Sequence, residues 1–245
     1  MPAAPGSADP TSVSRIPVTL TKMQSGNFLP CAELTSVLLP AYAPCPGFTA
    51  ICGTMRWIPE CGHAPRGFCG ALGKLSEVEL VLIVAEPGDP HDSEAYSPNA
   101  SSQDLLETVC RYVYGCFESG KDYFHKNVRY ILDQCWPDMP FAEQMRRTWI
   151  TESTLCSARK EGGTIPASVN RFCADSYLSK QLALLPHATI ATLGGKARDR
   201  IRHIRCQTIA VSAVAPPGCN FAGARESWGQ VAVEVRNRAA VRRGI

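Results

Sequence analysis

The chain has 245 residues, of which 45% are hydrophobic and 19% charged, and its formal net charge is +3. This length suits one domain with a substantial core, and the composition is that of a globular protein. No apolar run approaches the roughly 20 residues that cross a bilayer. The first ten residues lack the charged start and apolar centre of a secretory signal. We therefore expect a cytoplasmic protein.

The N-terminal part of the chain shows little periodicity. Residues 1–15 are rich in Pro, Ala, Ser and Gly and are predicted to be disordered. Residues 16–245 are predicted to form a single domain. Within it, residues 16–75 are interrupted by Pro, Gly and Cys, which indicates irregular structure wrapped on the domain.

Beyond residue 75, apolar runs alternate with amphipathic segments. Strands are predicted at 79–85, 148–153, 188–193 and 207–214, and helices at 103–135 with a break at 115–120, at 166–185, from 196 onward and at 222–241. This alternation predicts an α/β fold, a three-layer sandwich with a central four-stranded parallel sheet and helices on both faces. Ligands bind at the carboxyl ends of such strands, so we expect the chemistry in the Pro-Gly loops after Ala85 and Val214.

Basic residues are concentrated at the C-terminus. The last fifty residues contain Lys196, Arg198, Arg200, Arg202, Arg205, Arg225, Arg236, Arg238, Arg242 and Arg243. Such an asymmetry is typical of a surface that meets phosphates. A solvated basic helix is the alternative, and the sequence leaves both open.

Four segments between residues 78 and 228 carry recognisable motifs. They are VLIVAEPGDP at the first strand, WITESTLC at the second, the stretch from Cys156 to Ala197 with Cys-x16-Cys spacing and a closing LGG, and SAVAPPGCNFAGARESW at the fourth. Together they resemble the uracil-DNA glycosylase superfamily, and its iron–sulfur families most closely. Glu86 stands where the superfamily has an Asp or Asn before Pro, and Glu152 where it has a base-reading Asn. The catalytic His of the fourth motif is absent.

The resemblance implies an enzyme that flips a nucleotide out of DNA and hydrolyses the bond between base and sugar. Glu86 would stabilise positive charge on the sugar and activate water. Asn220, Arg225 or backbone N–H groups of residues 216–220 would donate to the departing base. The other implied substrate contacts are Ala85, Pro87, Gly88, Asp89, Tyr96, Glu152, Ser153, Ala215 and Pro216, and the implied DNA contacts are Lys196, Pro217, Gly218 and Phe221.

Several of these side chains have an equally simple alternative role. Tyr96 is the predicted ring on which the base stacks, or else a core or surface tyrosine. Phe221 is the predicted wedge into the duplex, or else packs against the sheet. Arg225 is a donor to the base, a phosphate contact or a surface residue of its helix.

Glu152 departs from the motif in a way that affects base recognition. An ionised Glu only accepts hydrogen bonds, whereas an Asn also donates. Glu152 would therefore pair with a ring N–H while a main-chain donor satisfies the neighbouring oxygen, or it would favour a base that carries an amino group. A third alternative is that its side chain points elsewhere.

Twelve cysteines are many for a protein of a reducing compartment, where metal ligation or burial is favoured over disulfides. The resemblance implies a structural [4Fe-4S] cluster held by four thiolates. Cys156 and Cys173 match its downstream pair, and Cys61 and Cys69 are the predicted upstream pair. Cys45 and Cys52 are alternatives, as is a zinc site of Cys61, His63 and Cys69. A further alternative is that all of the cysteines are reduced, buried thiols.

The functional prediction is a monofunctional, monomeric glycosylase that removes uracil or a related deaminated base from single- or double-stranded DNA. The alternative is a degenerate superfamily member that binds DNA or a flipped base without turnover. The missing His favours the second hypothesis, and the acid at position 86 favours the first. An iron–sulfur redox protein is a third hypothesis with little support, because no set of cysteines is cleanly spaced.

Overall fold

The computed structural model describes residues 26–243. The predicted disordered tail, residues 1–15, lies outside this range. The strands are β1 (Cys69–Gly70), β2 (Leu80–Val84), β3 (Thr148–Glu152), β4 (Thr189–Leu193) and β5 (Ile209–Val211). The helices are α1 (Ala32–Leu38), α2 (Pro46–Ala50), α3 (Ser102–Ser119), α4 (Tyr123–Cys135), α5 (Phe141–Arg147), α6 (Ala167–Cys173), α7 (Ser179–Leu184), α8 (Gly195–Arg200) and α9 (Gly223–Arg243).

The sheet confirms the predicted fold class. Its strand order is β1-β3-β2-β4-β5, and β3, β2, β4 and β5 run parallel to one another. These four are the predicted strands, each shortened by one to five residues in total. The apolar run of β2 occupies the centre because β3 and β4 flank it on both sides, so no edge of β2 meets water.

Helices cover both faces of the sheet. On one side α4 packs against α3 and α9, and α9 also contacts β4 and β5. On the other, α7 contacts α1 and is tied to β3 by Gln181, whose Oε1 accepts hydrogen bonds from Trp149 Nε1 at 2.9 Å and Thr151 Oγ1 at 2.8 Å. The result is a three-layer arrangement with the core on either side of the sheet.

The prediction of irregular structure over residues 16–75 was wrong in part. Residues 32–38 form α1, which buries Leu34 and Leu38, one helical turn apart. Residues 46–50 form α2, and β1 adds a fifth, antiparallel strand beside β3. A two-residue strand and helices of five to seven residues are too short for a periodic pattern, and tertiary packing stabilises them instead.

The helical predictions were mostly confirmed. The break expected at 115–120 is the end of α3 at Gly120, whose φ of 59° places it in the left-handed region that terminates helices. The predicted helix 166–185 is one continuous run that consists of α6, a π-helical turn at Ala174–Leu178 and α7. The sequence analysis missed α5. None of the helices in the described part of the chain has the length and apolar character to cross a membrane.

Candidate functional site

A cleft of about 990 Å³ opens at the carboxyl ends of the parallel strands. The loops after β2, β4 and β5 and the last residue of β3, Glu152, all line it. Of the predicted site residues, Ala85, Glu86, Pro87, Gly88, Asp89, Glu152, Lys196, Ala215, Pro216, Pro217 and Gly218 are found in its wall. The volume lies within the range of about 300–1,000 Å³ that is usual for small-ligand sites.

Glu86 is anchored in this wall by two cations from α8. Its Oε1 lies 3.2 Å from Lys196 Nζ, and its Oε2 lies 2.5 Å from Arg200 Nη1. The Arg200 group also donates to the carbonyl of Ala85 at 2.8 Å, so it holds the strand end as well as the carboxylate. The Glu86 side chain is only 9% exposed, which strengthens these charge-assisted bonds.

The Pro-Gly loop after Glu86 is held in place by a buried arginine. Arg66 donates to the carbonyl of Gly88 at 2.5 Å and to Ser157 Oγ at 2.6 Å, and it pairs with Glu94 at 3.0 Å. Ser157 Oγ donates to the same carbonyl at 2.9 Å. Arg66 and Ser157 therefore fix the position of the loop that follows Glu86, the catalytic candidate.

Glu152 is almost fully buried at the end of β3. Its Oε2 has no hydrogen-bond partner within the described residues. Burial, and then the charge of Glu86, raise the pKa of Glu152 well above its ordinary value, while Arg66 and Arg200 act in the opposite direction. Burial and the Glu86 charge thus both favour the protonated form of Glu152, beside the ionic group formed around Glu86.

Glycines allow two strand-end loops to approach each other across the cleft floor. Gly194, after β4, has a φ of 96°, and a Cβ at this position would lie 2.9 Å from the Cβ of Ala213, after β5. A Cβ on Gly218 would meet the same methyl group at 2.8 Å. The LGG motif is explained by this close packing, since any side chain at Gly194 would push the loops apart.

The loop after β5 offers fewer backbone donors than the sequence suggested. Pro216 and Pro217 have no N–H group. The N–H groups of Cys219 and Asn220 are already bonded within the turn, to the carbonyls of Ala215 and Pro217. Of the cleft-lining residues here, Ala215 and Gly218 keep an N–H group that is not used in this turn.

Five predicted site residues lie outside the cleft lining. The ring of Tyr96 is buried, and its hydroxyl donates to Glu94 at 2.5 Å, so its place is in the core. Ser153 is buried and donates to the carbonyl of Ala85. Arg225 stacks over the ring of Tyr130 at 5.2 Å. Asn220 is exposed beside the turn, and Phe221 is 56% exposed.

The cleft also contains a polar pair, Asp122 and His125, that the sequence analysis missed. His125 Nδ1 lies 2.9 Å from Asp122 Oδ1, and the Asp122 oxygen also accepts the backbone N–H of His125 at the start of α4. The imidazole packs edge-on against Phe117, with ring centroids 4.7 Å apart. Desolvation lowers the pKa of His125, so the ring is predominantly neutral at neutral pH. An Asp-x-x-His sequence at a helix start was the available signal.

The C-terminal basic residues do not form one surface. Lys196 lines the cleft, Arg200 bonds to Glu86 in the cleft wall, and Arg198 lies on the same short helix, paired with Asp199. Arg238, in contrast, donates to the carbonyl of Ala188, which precedes β4 at the opposite edge of the sheet. The basic residues near the cleft are therefore those at the start of the basic segment, on α8.

The cysteines that lie together differ from the predicted set. A small cavity of about 20 Å³ is lined by Cys45, Cys52, Cys156 and Cys173, which combines the predicted downstream pair with the alternative upstream pair. Cys69 is instead buried beside Cys110 and Cys116, and Cys61 is exposed. The set of Cys61, Cys69, Cys156 and Cys173 is therefore not brought together.

The four cavity cysteines have the donor chemistry of an iron–sulfur site. Cys173 Sγ accepts the backbone N–H of Leu155 at 3.3 Å, and Cys45 Sγ accepts the hydroxyl of Tyr177 at 3.1 Å. Burial raises the pKa of Cys173 to about 12 and that of Cys52 to about 11. Over residues 26–243, however, no group of three or more Cys, His, Asp or Glu is arranged to hold a metal ion. His63 of the zinc alternative is bonded to Arg56 at 3.0 Å.

Comparison with known proteins does not assign the chain to a family. No protein-family model matches the chain, and no curated protein matches it significantly.

Proposed function

We propose that this chain is a cytoplasmic, monofunctional DNA glycosylase that hydrolyses the N-glycosidic bond of uracil or a related deaminated base. The observation that carries the proposal is the anchored Glu86 carboxylate in the wall of the cleft at the carboxyl edge of a parallel sheet. The position of Glu86 after the end of β2 and the four motifs of the sequence support the same conclusion. We further propose that the protein acts as a monomer.

Glu86 is suited to act on the sugar side of the bond. As C1′ separates from the base, positive charge develops on the sugar, and a nearby carboxylate stabilises it and orients the attacking water. A carboxylate has about four acceptor sites, whereas the described bonds to Lys196 and Arg200 use two. Acceptor sites therefore remain for a water molecule.

The departing base requires donors as its charge grows. With Asn220 and Arg225 outside the cleft, the N–H groups of Ala215 and Gly218 are the groups that would donate to it. Backbone donors fixed in a loop stabilise charge without reorganising during the reaction. They take the place of the absent motif His in this proposal.

DNA would approach along the rim that α8 and the loop after β5 form. Lys196 is more than half exposed and has the reach to contact a phosphate on this rim. Phe221 follows the loop and exposes 56% of its surface, as a wedge into the duplex requires. A flipped nucleotide would then enter the cleft between the two.

A [4Fe-4S] cluster belongs to this proposal as a structural element. Cys45, Cys52, Cys156 and Cys173 are the residues that would hold it, and it would crosslink α2, α6 and the segment after β3. It supplies no step of the reaction, because this cavity is separate from the cleft around Glu86. Anaerobic purification with iron and sulfide analysis tests it. Absorption near 400 nm should be lost in Cys45→Ser and Cys156→Ser but retained in Cys61→Ser, and about equal absorption in all three would exclude these ligands.

A non-cleaving DNA-binding protein is the second candidate. The observation in its favour is that both Glu86 oxygens are engaged by cations, which is also the arrangement of a purely structural ion pair. It predicts that the protein binds DNA containing uracil but releases no base. The two candidates therefore differ in product, and one assay separates them.

The deciding experiment uses end-labelled DNA with one uracil, treated with the protein, then hot alkali, and resolved on a denaturing gel. The glycosylase proposal predicts cleavage at the uracil and at no thymine. Glu86→Gln should reduce this cleavage by about 100-fold or more, the usual scale for a lost catalytic acid or base. DNA affinity should be nearly unchanged, because the side chain is buried from the rim.

The matched control is Glu79→Gln, at the other end of β2. Glu79 is also a partly buried carboxylate in an ion pair, with Arg147 at 2.7 Å, but it lies at the edge of the sheet opposite the cleft. The Glu79→Gln variant should cleave the uracil DNA like the parent protein. Intact DNA binding with no cleavage of uracil, hypoxanthine or xanthine sites would establish the second candidate instead.

A further inference from the structure

The corner between α3 and α4, residues 120–126, forms a wall of the cleft that the proposed reaction does not use. Lys121, Phe124 and His125 of this corner line the cavity, and so does Tyr112 of α3. The rings of Phe124 and His125 pack edge to face, with centroids 5.0 Å apart. The wall therefore offers aromatic surface and a cation to a ligand that continues past the reaction site.

Tyr123, the first residue of α4, exposes its ring beside this wall. It is 70% exposed, more than Phe221 at 56%. Its neighbours in sequence, Asp122 and Phe124, both line the cleft, so the ring lies at the cleft rim. An exposed ring in such a place is a surface on which an unpaired base stacks, and this stacking does not depend on the identity of the base.

Two lysines of the corner add positive charge near Tyr123. The Nζ of Lys121 donates to the hydroxyl of Tyr112 at 2.9 Å, which leaves two of its three N–H donors. The stem of Lys126 lies across the corner, because a Cβ on Gly120 would be 3.2 Å from Lys126 Cγ. Among the described residues the lysine in an ion pair is the one on α8, so both of these ammonium groups keep their charge available.

Most acidic groups near the corner are engaged elsewhere. Asp122 accepts hydrogen bonds from the backbone and is bonded to the ring of His125. Glu94, which also lines the cleft, is paired with Arg66. Glu118, exposed near the end of α3, is the acid that remains. In this part of the described chain, two available lysines therefore stand against one available acid, which favours an anionic ligand that also has an aromatic face. A nucleotide has both.

The corner is fixed to the part of the rim where DNA would enter. Asn127 Nδ2 donates to the carbonyl of Val214 at 2.8 Å, directly before the loop that lines the cleft after β5. Arg225 stacks over Tyr130 of α4 at 5.2 Å. Both contacts join α4 to the segment that follows β5, so a strand that leaves the cleft over this segment reaches the corner next.

We propose that the α3–α4 corner binds an unpaired nucleotide of the DNA strand, next to the nucleotide that enters the cleft. Its base stacks on Tyr123, and its phosphate accepts hydrogen bonds from Lys121 and Lys126. The inference rests on the proposed function for the identity of the strand, but it concerns binding and requires no turnover. It makes single-stranded DNA the preferred form of the substrate, because in a duplex the neighbouring nucleotide is held by its own stack and its paired base.

The test measures binding to a labelled single strand of thymines with one 2′-fluoro uracil nucleotide, whose glycosidic bond resists cleavage. Tyr123→Ala should raise the Kd by about fivefold to a hundredfold, the scale of one stacked base, whereas Tyr123→Phe keeps the ring and should bind like the parent. An abasic spacer in place of the thymine on one side of the uracil should weaken the parent by the same factor and leave Tyr123→Ala unaffected, because both changes delete one stack. The control is Val241→Ala, 77% exposed in the last turn of α9.

The phosphate contact is tested by salt dependence. Lys126→Gln should weaken binding to the same strand and reduce the slope of log Kd against log salt concentration by about one phosphate contact. Lys180→Gln, at an exposed lysine of α7 on the opposite face of the sheet from α4, removes the same charge and should change neither quantity. Equal effects of the two lysine variants would assign the loss to net charge and overturn the phosphate contact.

The outcomes for the corner and for the glycosylase are separate. Equal affinities of the parent and Tyr123→Ala, spacer losses that add to that of Tyr123→Ala, or a parent that binds duplex but no single strand would each overturn the site. Cleavage on the uracil gel would leave the glycosylase proposal intact in all three cases. Binding that depends on Tyr123 without cleavage would support the site and refute the glycosylase. Thermal melting checks that each variant is folded, and the spacer measurement on the parent needs no variant.

Discussion

Arg200 Nη1 lies 2.5 Å from Glu86 Oε2, although 114 residues separate the two in the chain. The same nitrogen donates to the carbonyl of Ala85, so one guanidinium orients both the carboxylate and the strand that carries it. The carbonyl of Arg200 in turn accepts from Asn170 Nδ2 at 3.1 Å, which ties α8 to α6. Glu86 is therefore positioned by three elements, the strand β2 that precedes it and the helices α8 and α6.

Arg200 should act as a positioning residue for Glu86. Arg200→Gln removes the charged partner of a buried carboxylate, and we expect cleavage to fall by about tenfold to a hundredfold, since hydrogen bonds to charged groups contribute about 1.5–3 kcal/mol. Single-turnover cleavage of uracil DNA measures the effect, with Arg200→Lys expected to restore part of it. The control is Arg198→Gln on the same helix, whose partner is the exposed Asp199. A loss of similar size in that control would assign the effect to DNA charge rather than to Glu86.

The raised pKa of Glu152 should appear as a pH dependence of stability. The folded protein retains a proton that the unfolded chain releases, so the free energy of unfolding declines as the pH rises from the ordinary carboxyl pKa through the folded one. Glu152→Gln lacks this decline, and its stability relative to the parent should increase with pH by about 1.4 kcal/mol per unit of pKa difference. Urea unfolding at about pH 5 and about pH 8 measures it. A constant difference between the two proteins would show that Glu152 titrates normally.

Gly67 should tolerate no side chain. Gly67→Ala combines a left-handed backbone with a methyl group that meets Glu152, and we expect a loss of about 1–3 kcal/mol in unfolding free energy together with reduced cleavage. The control is Gly115→Ala within α3, where an added Cβ has no neighbour within 4 Å. That variant should gain about 0.5–1 kcal/mol, because Ala favours the helix. Chemical denaturation measures both, and equal effects would mean that Gly67 is not constrained by the acid.

Phe221 should matter on duplex DNA more than on single strands. If its exposed ring enters the stack as a nucleotide leaves, Phe221→Ala should slow cleavage in a duplex by about tenfold or more, on the scale of the few kcal/mol that unstacking a base step costs. Uracil in a single strand is already unstacked, so little change is expected there. Val233→Ala, at a residue 51% exposed on α9 and outside the cleft, is the control. Equal losses on the two substrates would argue against a wedge.

The parts of the fold that were predicted correctly are those encoded by local patterns. The apolar runs of β2 and β4 and the helix end at Gly120 each depend on neighbouring residues, because backbone periodicity and glycine conformation are local properties. Glu86 at a strand end before Pro-Gly is likewise visible in a short window, and parallel strands bring such ends to one edge. For these reasons the sheet, its carboxyl edge and Glu86 could be located from the sequence.

The partners of those residues could not be located in this way. These partners depend on contacts across the fold. Arg66 supports Gly88, and Arg200 rather than Arg225 bonds to Glu86. Cys45 and Cys52, rather than Cys61 and Cys69, lie beside the downstream cysteines. The same holds for the raised pKa of Glu152, which arises from burial and a neighbouring charge and not from its sequence context. Side-chain pairing and protonation are set by three-dimensional proximity and desolvation, and short sequence windows carry no information about either.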